Sequence, residues 1–279
     1  MRVVITGAGG QLGQDLVAAF LDAGSHHEIS GFGHDRLDVG NRDAVLQVIG
    51  TVRPDVVVHA GAWTAVDACE ADPDRAYRVN ALGSRHVAEA ARLTGAHVVY
   101  ISTDYVFDGM SDRPYREWDD PNPLSVYGRS KLAGEKEVLA GVPRVAVVRT
   151  SWVFSTHGAN MLKTVLRLSA ERPELAFVDD QRGCPTYVGH LADATREVLE
   201  QPFGVYHVAA AGECTWAEFA EAIFEEAGLP VRVQRITTAE LGARAPRPAY
   251  SVLRSEKGAP ELPHWREGLR QCLDRLPSA

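Results

Sequence analysis

The chain has 279 residues, of which 45% are hydrophobic and 24% charged, with a formal net charge of -8. This is the composition of a globular protein with one large or two modest domains, and its negative charge argues against non-specific nucleic-acid binding. Cys69, Cys184, Cys214 and Cys272 are widely spaced and form no Cys-x-x-Cys pair, so neither a zinc site nor a disulfide framework is suggested and a reducing compartment fits. The apolar run at Met1 to Gly7 is too short for a signal peptide. No stretch approaches the ~20 apolar residues of a membrane span. The cytoplasm, with no membrane partner, is the expected location.

Val3-Val4-Ile5 is an all-apolar, β-branched run of the kind buried on both faces of a parallel sheet. Thr6-Gly7-Ala8-Gly9-Gly10-Gln11-Leu12-Gly13 follows, then a helical pattern carrying Leu12, Leu16, Phe20 and Leu21, which ends near Gly24. Strand, glycine loop and helix together are the context of a dinucleotide fingerprint. Gly7 would make the tight turn, Gly10 would let the backbone approach a pyrophosphate, and Gly13 would let the helix sit close to the sheet. The anion would rest on the helix N-terminus.

Glu28 to Phe32 reads as a second strand. An NAD site would place an acidic residue at its end for the ribose 2′-hydroxyl. Here Gly33-His34-Asp35-Arg36 follows, in which His34 and Arg36 would accept a 2′-phosphate, so NADPH is favoured and NADH is the alternative. Asp38 would contact the adenine or else cap the helix starting near Asn41. Asp55 to Ala62 is a third strand running into small residues, which leave room for a cofactor across the sheet edge. Asp72-Pro73 reads as an N-cap and first-turn proline opening a helix to about Leu93. Asn80 on that helix is expected to bond backbone.

His97 to Ile101 is a fourth strand, ending in Ser102-Thr103-Asp104-Tyr105-Val106-Phe107-Asp108-Gly109, whose hydroxyls would face the ligand crevice. A proline-rich and acidic surface loop, Met110 to Leu124, leads into Ser125-Val126-Tyr127-Gly128-Arg129-Ser130-Lys131. The four-residue spacing puts the Tyr127 phenol and the Lys131 ammonium on one helix face. A cation there would lower the phenol pKa from its usual ~10, which makes the pair a candidate proton donor and acceptor. Taken alone the spacing is common on exposed helices; the surrounding motifs single it out.

Val145 to Val148 is a fifth strand, followed by a helix from about Asn160 to Ala170 and a strand at Leu175 to Val178 that completes the alternation. The pattern implies an α/β fold, a Rossmann-type doubly wound parallel sheet over residues 1–178. Residues 179–279 form a smaller α/β substrate-binding part, and segments of the two can interleave. In it a helix is expected near Val188 to Glu200, a strand at Gly204 to Val208, and a capping box at Thr215 to Glu218 opening a helix to about Ala227. A short strand near Val231 to Gln234, a basic proline-rich loop from Arg244 to Pro248 and a last helix near Trp265 to Leu276 complete it.

The combination of Thr-Gly-Ala-Gly-Gly-Gln-Leu-Gly, Ser-Thr-Asp-Tyr-Val-Phe-Asp-Gly, Tyr-Gly-x-x-Lys and Arg-Thr-Ser-Trp-Val-Phe resembles the extended short-chain dehydrogenase/reductases. More narrowly it resembles the dTDP-4-dehydrorhamnose reductase family, over nearly the whole chain, including Ala65-Val66-Asp67, Lys131-Leu132-Ala133-Gly134-Glu135 and Asp180 to Thr186. The resemblance implies NADPH-dependent reduction of dTDP-4-dehydro-β-L-rhamnose to dTDP-β-L-rhamnose. It implies Tyr127 as proton donor to the C4 carbonyl, Lys131 as its partner and a nicotinamide-ribose contact, and Thr103 as a hydrogen-bond partner of the reacting oxygen. Gly10, Gln11 and Leu12 would hold the pyrophosphate between Gly7 and Gly13 of the same cofactor-binding loop, Asp38 and Val39 flank the adenine, and Ala60, Gly61, Ala62, Trp63 and Thr64 line the cofactor. Asp104, Tyr105, Trp152, Asn160 and Arg247 would touch the sugar nucleotide, Arg247 because a guanidinium suits a diphosphate.

His59, Gly61 and Trp63 depart from the residues common in that family. The acidic surface residues of the magnesium-linked dimer described for some members find no match, so no metal is expected; a homodimer stays open as the assembly. Two further readings differ in class: a sugar-nucleotide epimerase or dehydratase, with Asp104 as an added acid/base group, and a non-catalytic NADP-binding regulatory subunit. Bland roles stand beside the sharp ones: a backbone-bonding hydroxyl for Thr103, a core aromatic for Trp152 and a solvated loop charge for Arg247.

Overall fold

A computed structural model describes residues 1–22 and 27–276. Six strands form its main sheet: β1 (Arg2–Thr6), β2 (Glu28–Phe32), β3 (Val56–His59), β4 (His97–Thr103), β5 (Val145–Thr150) and β7 (Gly204–His207). Strand β6 (Glu174–Val178) lies outside it. The order across the sheet is β7-β5-β4-β3-β1-β2, and every pairing is parallel. The chain goes from β1 to β2 on one side and to β3 on the other. The carboxyl ends of β1 and β3 therefore flank a switch point, where open α/β sheets bind ligands.

The strands are apolar throughout because both faces are covered. Val3, Ile5, Val58, Val99 and Val148 point into one core, and Val4, Val57, Val98, Tyr100 and Val147 into the other. The first core is closed by α1 (Gln11–Asp22), α7 (Met161–Ser169) and α8 (Val188–Glu197). The second is closed by α2 (Arg42–Val52), α5 (Gly83–Thr94) and α6 (Val126–Gly141). The first-helix end expected near Gly24 lies outside the described residues. Before α5 come α3 (Val66–Ala71) and α4 (Pro73–Tyr77), and a π-helical turn, Arg78–Leu82, joins α4 to α5. The expected cap holds, with Asp72 accepting from the Arg75 amide ahead of Pro73. The helix is not uniform, however, for the π-turn carries Asn80.

The strand expected at 175–178 does not extend the large sheet. It is β6, and it pairs in parallel with β8 (Arg232–Ile236) under α9 (Trp216–Glu226). A four-residue apolar run fixes a strand but not its neighbour. Helix α9 opens on the capping box expected from Thr215 and Glu218. With α10 (Trp265–Asp274) it packs Phe219, Ile223 and Leu269 into the first core, so the smaller unit shares that core rather than owning one. Among the described residues, no helix is long and apolar enough to cross a membrane.

Candidate active site

The turn after β1 is dictated by glycine. Gly7 has φ 71°, and a Cβ there would stand 2.7 Å from the Gly61 backbone. A Cβ on Gly13 would meet the Gly7 carbonyl and come within 2.7 Å of Ala8 Cα. Only backbone this bare lets α1 start directly against the loop and leave its first amides free for an anion.

Two cavities open on either side of this loop. One, of about 440 Å³, is lined by Gly7, Gly9, Gly10, Gly33, His34, Asp35, Leu37, Val39, Ala60, Gly61, Ala62 and Trp63, with Arg75, Arg78 and Val79. The other, of about 420 Å³, is lined by Gly7, Gly10, Gln11, Leu12, Gly13, Ala60, Ala62, Thr64, Ser102, Thr103, Asp104, Tyr105, Tyr127, Lys131, Trp152 and Trp216, among others. They share Gly7, Gly10, Ala60 and Ala62, so a dinucleotide with its pyrophosphate on the glycine loop would extend one half into each. Among the described residues no group of three or more His, Cys, Asp or Glu side chains could hold a metal ion.

Three residues from the sequence reading stand elsewhere, and a fourth, Arg247, sits beside the cavity-lining Tyr105 but is already paired. The Asp38 carboxylate is taken by the Arg78 guanidinium (2.9 Å) and the Gly40 amide (2.9 Å), and its neighbours Leu37 and Val39 line the cavity instead. Arg36 lies over the Phe32 ring. Asn160 caps α7 through the Lys163 amide and bonds the Ser155 carbonyl, 2.7 Å away. Arg247 forks onto Asp67 (2.7 and 3.2 Å), so its charge is already answered. Arg75 on α4 and Arg78 on the π-turn, the latter paired with Asp38, line the first cavity with cationic groups that the sequence reading did not single out. On a helix pattern they read as a solvated face.

Tyr127 is 8% exposed, at the start of α6, with its ring edge-on to Tyr105 (5.7 Å). Helix α6 is pinned there by its Ser125 cap on Gly128 and by Glu70 accepting from the Val126 amide at 2.6 Å. Thr103 ends β4. Its hydroxyl donates to Asp104 at 3.0 Å and accepts from the Tyr105 amide at 3.2 Å. Ser251 donates to the other Asp104 oxygen at 2.6 Å. Burial pushes the Asp104 carboxyl up to about 7, against the pull of the Ser251 and Thr103 hydroxyls.

The electrostatics differ from the expectation of an acidified phenol. Burial drives Tyr127 well above its ordinary range, and the neighbouring Thr103 hydroxyl pulls the other way. Lys131 does not turn toward the phenol oxygen. Its ammonium donates to the Ile101 carbonyl at 2.7 Å and lies over the Tyr100 ring at 4.1 Å. Burial lowers its pKa to about 7, with Glu135 opposing. Desolvation thus decides both groups, and at neutral pH the buried phenol holds its proton.

A buried hydrogen-bond chain ties the cofactor side to this helix. Thr6 Oγ1 lies 2.7 Å from His59 Nδ1, and His59 Nε2 lies 3.2 Å from Ser84 Oγ, which donates to the Asn80 carbonyl. The Asn80 amide bonds both backbone groups of Trp63 and the Ser130 hydroxyl, which returns to the Tyr127 carbonyl. Asn80 therefore bonds backbone as expected, and His59 is a link in the chain.

Trp152 is a backbone outlier, with φ 45°, and its indole stacks on Trp216 at 3.5 Å and 3°. Trp216 escaped the sequence reading, because a tryptophan just after a helix cap reads as core.

The RmlD substrate binding domain model matches residues 1–278. The spore coat polysaccharide biosynthesis protein SpsK of Bacillus subtilis is 41% identical over 281 residues, covering 100% of this chain and 99% of that protein. The dTDP-4-dehydrorhamnose reductase of Escherichia coli is 39% identical, over 99% of this chain and 98% of its own. The crystal structure of dTDP-4-dehydrorhamnose reductase from Bacillus anthracis in complex with NADP superposes with a TM-score of 0.93 at 41% identity, over 98% of each chain.

Proposed function

Because the chain belongs to the RmlD substrate-binding family, we propose that it reduces dTDP-4-dehydro-β-L-rhamnose to dTDP-β-L-rhamnose with NADPH. The observation that carries this reading is the meeting of two cavities at one glycine loop, with Thr103, Tyr127 and Lys131 in the wall of one of them. The bare backbone at Gly7 and Gly13 fits a pyrophosphate, and His34 and Arg75 at the far end suit a phosphorylated ribose. NADPH, when bound, supplies the hydride that reaches C4 of the sugar.

The chain's own part is to position groups and to deliver a proton. Thr103, turning its hydroxyl from the Asp104 carboxylate to the bound sugar, holds the C4 oxygen within reach of the phenol. Tyr127 gives its proton to that oxygen as negative charge develops there. Its raised pKa keeps the proton on the phenol until that moment. Lys131, fixed on the Ile101 carbonyl, places a titrating ammonium beside the same wall.

The test is an absorbance trace at the nicotinamide band with NADPH and the keto sugar. A reductase consumes one NADPH per product, whereas an epimerase or dehydratase returns the hydride and consumes none in proportion. Tyr127→Phe is expected to lose at least ~10²-fold in turnover. Near-native turnover in that variant would remove Tyr127 from the mechanism.

A further inference from the structure

The Trp152–Trp216 pair belongs to the catalytic cavity, yet nothing in the proton-transfer scheme uses it. Both indoles line the cavity with Thr103, Tyr127 and Lys131. Their placement is expensive in design. Trp152 adopts a left-handed conformation that residues other than glycine rarely take. Gly183 makes room for its ring, since a Cβ there would stand 2.5 Å from the indole. Trp216 is held by the capped start of α9, and its Nε1–H donates to Gln181 at 3.1 Å, which in turn donates to Thr238 at 2.9 Å.

That last bond matters for what the pair can recognise. The Trp216 N–H is already satisfied, so its contribution to the cavity is flat, apolar ring surface. Neither indole carries a charge for the diphosphate. The pair shares its cavity with the proton donor, and so lies at the reacting end of a substrate. We propose that Trp216, stacked on Trp152, is a specificity-determining residue that packs against the apolar face of the hexose around C5 and its methyl group, and not against the nucleotide. This rests on the reduction of a 6-deoxy-4-keto sugar nucleotide proposed above.

Calorimetric titration of the full chain, with NADP⁺ present, separates the two halves of the ligand. Trp216→Ala is expected to weaken dTDP-L-rhamnose about tenfold, the scale of a lost aromatic contact with its burial, and to leave dTDP alone within about twofold. Trp216→Phe keeps a ring in the stack and is expected to recover most of the sugar affinity; it also serves should the alanine variant fail to fold. Equal weakening of dTDP and dTDP-L-rhamnose, or no change in either, would overturn the assignment. A native chain that binds neither ligand would instead refute the sugar-nucleotide reading on which it stands.

Discussion

Replacing Arg149 by methionine should cost this protein more than replacing Arg149 and Glu135 together by apolar residues. Glu135 lies two turns beyond Tyr127 on α6, and Arg149 lies on β5. Their side chains are 2% and 4% exposed. The guanidinium forks onto the carboxylate at 2.9 and 2.7 Å, and Ser102 donates to the same carboxylate at 2.5 Å. With Arg149 gone, the buried carboxylate keeps one hydroxyl and only the more distant Lys131 ammonium, with no directly bonded counter-charge, a loss of about 3–5 kcal/mol. The Glu135→Leu/Arg149→Met double variant removes both charges and should recover at least ~2 kcal/mol of that. At roughly 2–4 °C per kcal/mol for a chain of this size, the single change lowers the melting midpoint by roughly 6–20 °C. Thermal and urea unfolding of the native chain, both single variants and the double variant give the coupling directly. Strictly additive losses would refute the view that this pair is a mutually dependent bolt between α6 and the sheet.

Asp104 gives a pH signature. Its folded carboxyl is raised to about 7, from a usual value of 3.8, chiefly by burial. The folded chain therefore binds the proton more tightly than the unfolded chain, and this contribution is complete below about 4 and lost as pH rises through about 7. The melting temperature of Asp104→Asn, relative to native, should climb between pH 4 and pH 8; a constant gap would contradict the sign. Gly13→Ala drives a methyl into the Gly7 carbonyl. It should cost about 1–3 kcal/mol in stability and weaken NADP⁺ at least ~10-fold in a fluorescence titration, and unchanged affinity would argue against the glycine loop as the pyrophosphate cradle.

Much of the fold was legible because backbone rules act locally. The glycine run after Val3-Val4-Ile5, the Asp72-Pro73 cap and the Thr215 capping box each announce their element within a few residues. What sequence could not reveal is what depends on partners. The apolar run at 175–178 gave a strand but not β8 beside it. Lys131 was rightly placed four residues from Tyr127, but the Ile101 carbonyl and the Tyr100 ring that hold its ammonium come from β4. Burial, which reverses the expected direction for the phenol, is a property of the assembled core. Arg247 read as an open cation because Asp67 lies 180 residues away along the chain.

The path of the chain has one more consequence. It leaves the large sheet after β5, makes β6, returns to lay down β7 at the sheet edge, and departs again through α9 and β8. Two halves laced in this way have no single seam. No one cut of the chain parts the large sheet from the β6–β8 layer, so the two are inherited together and not as exchangeable modules.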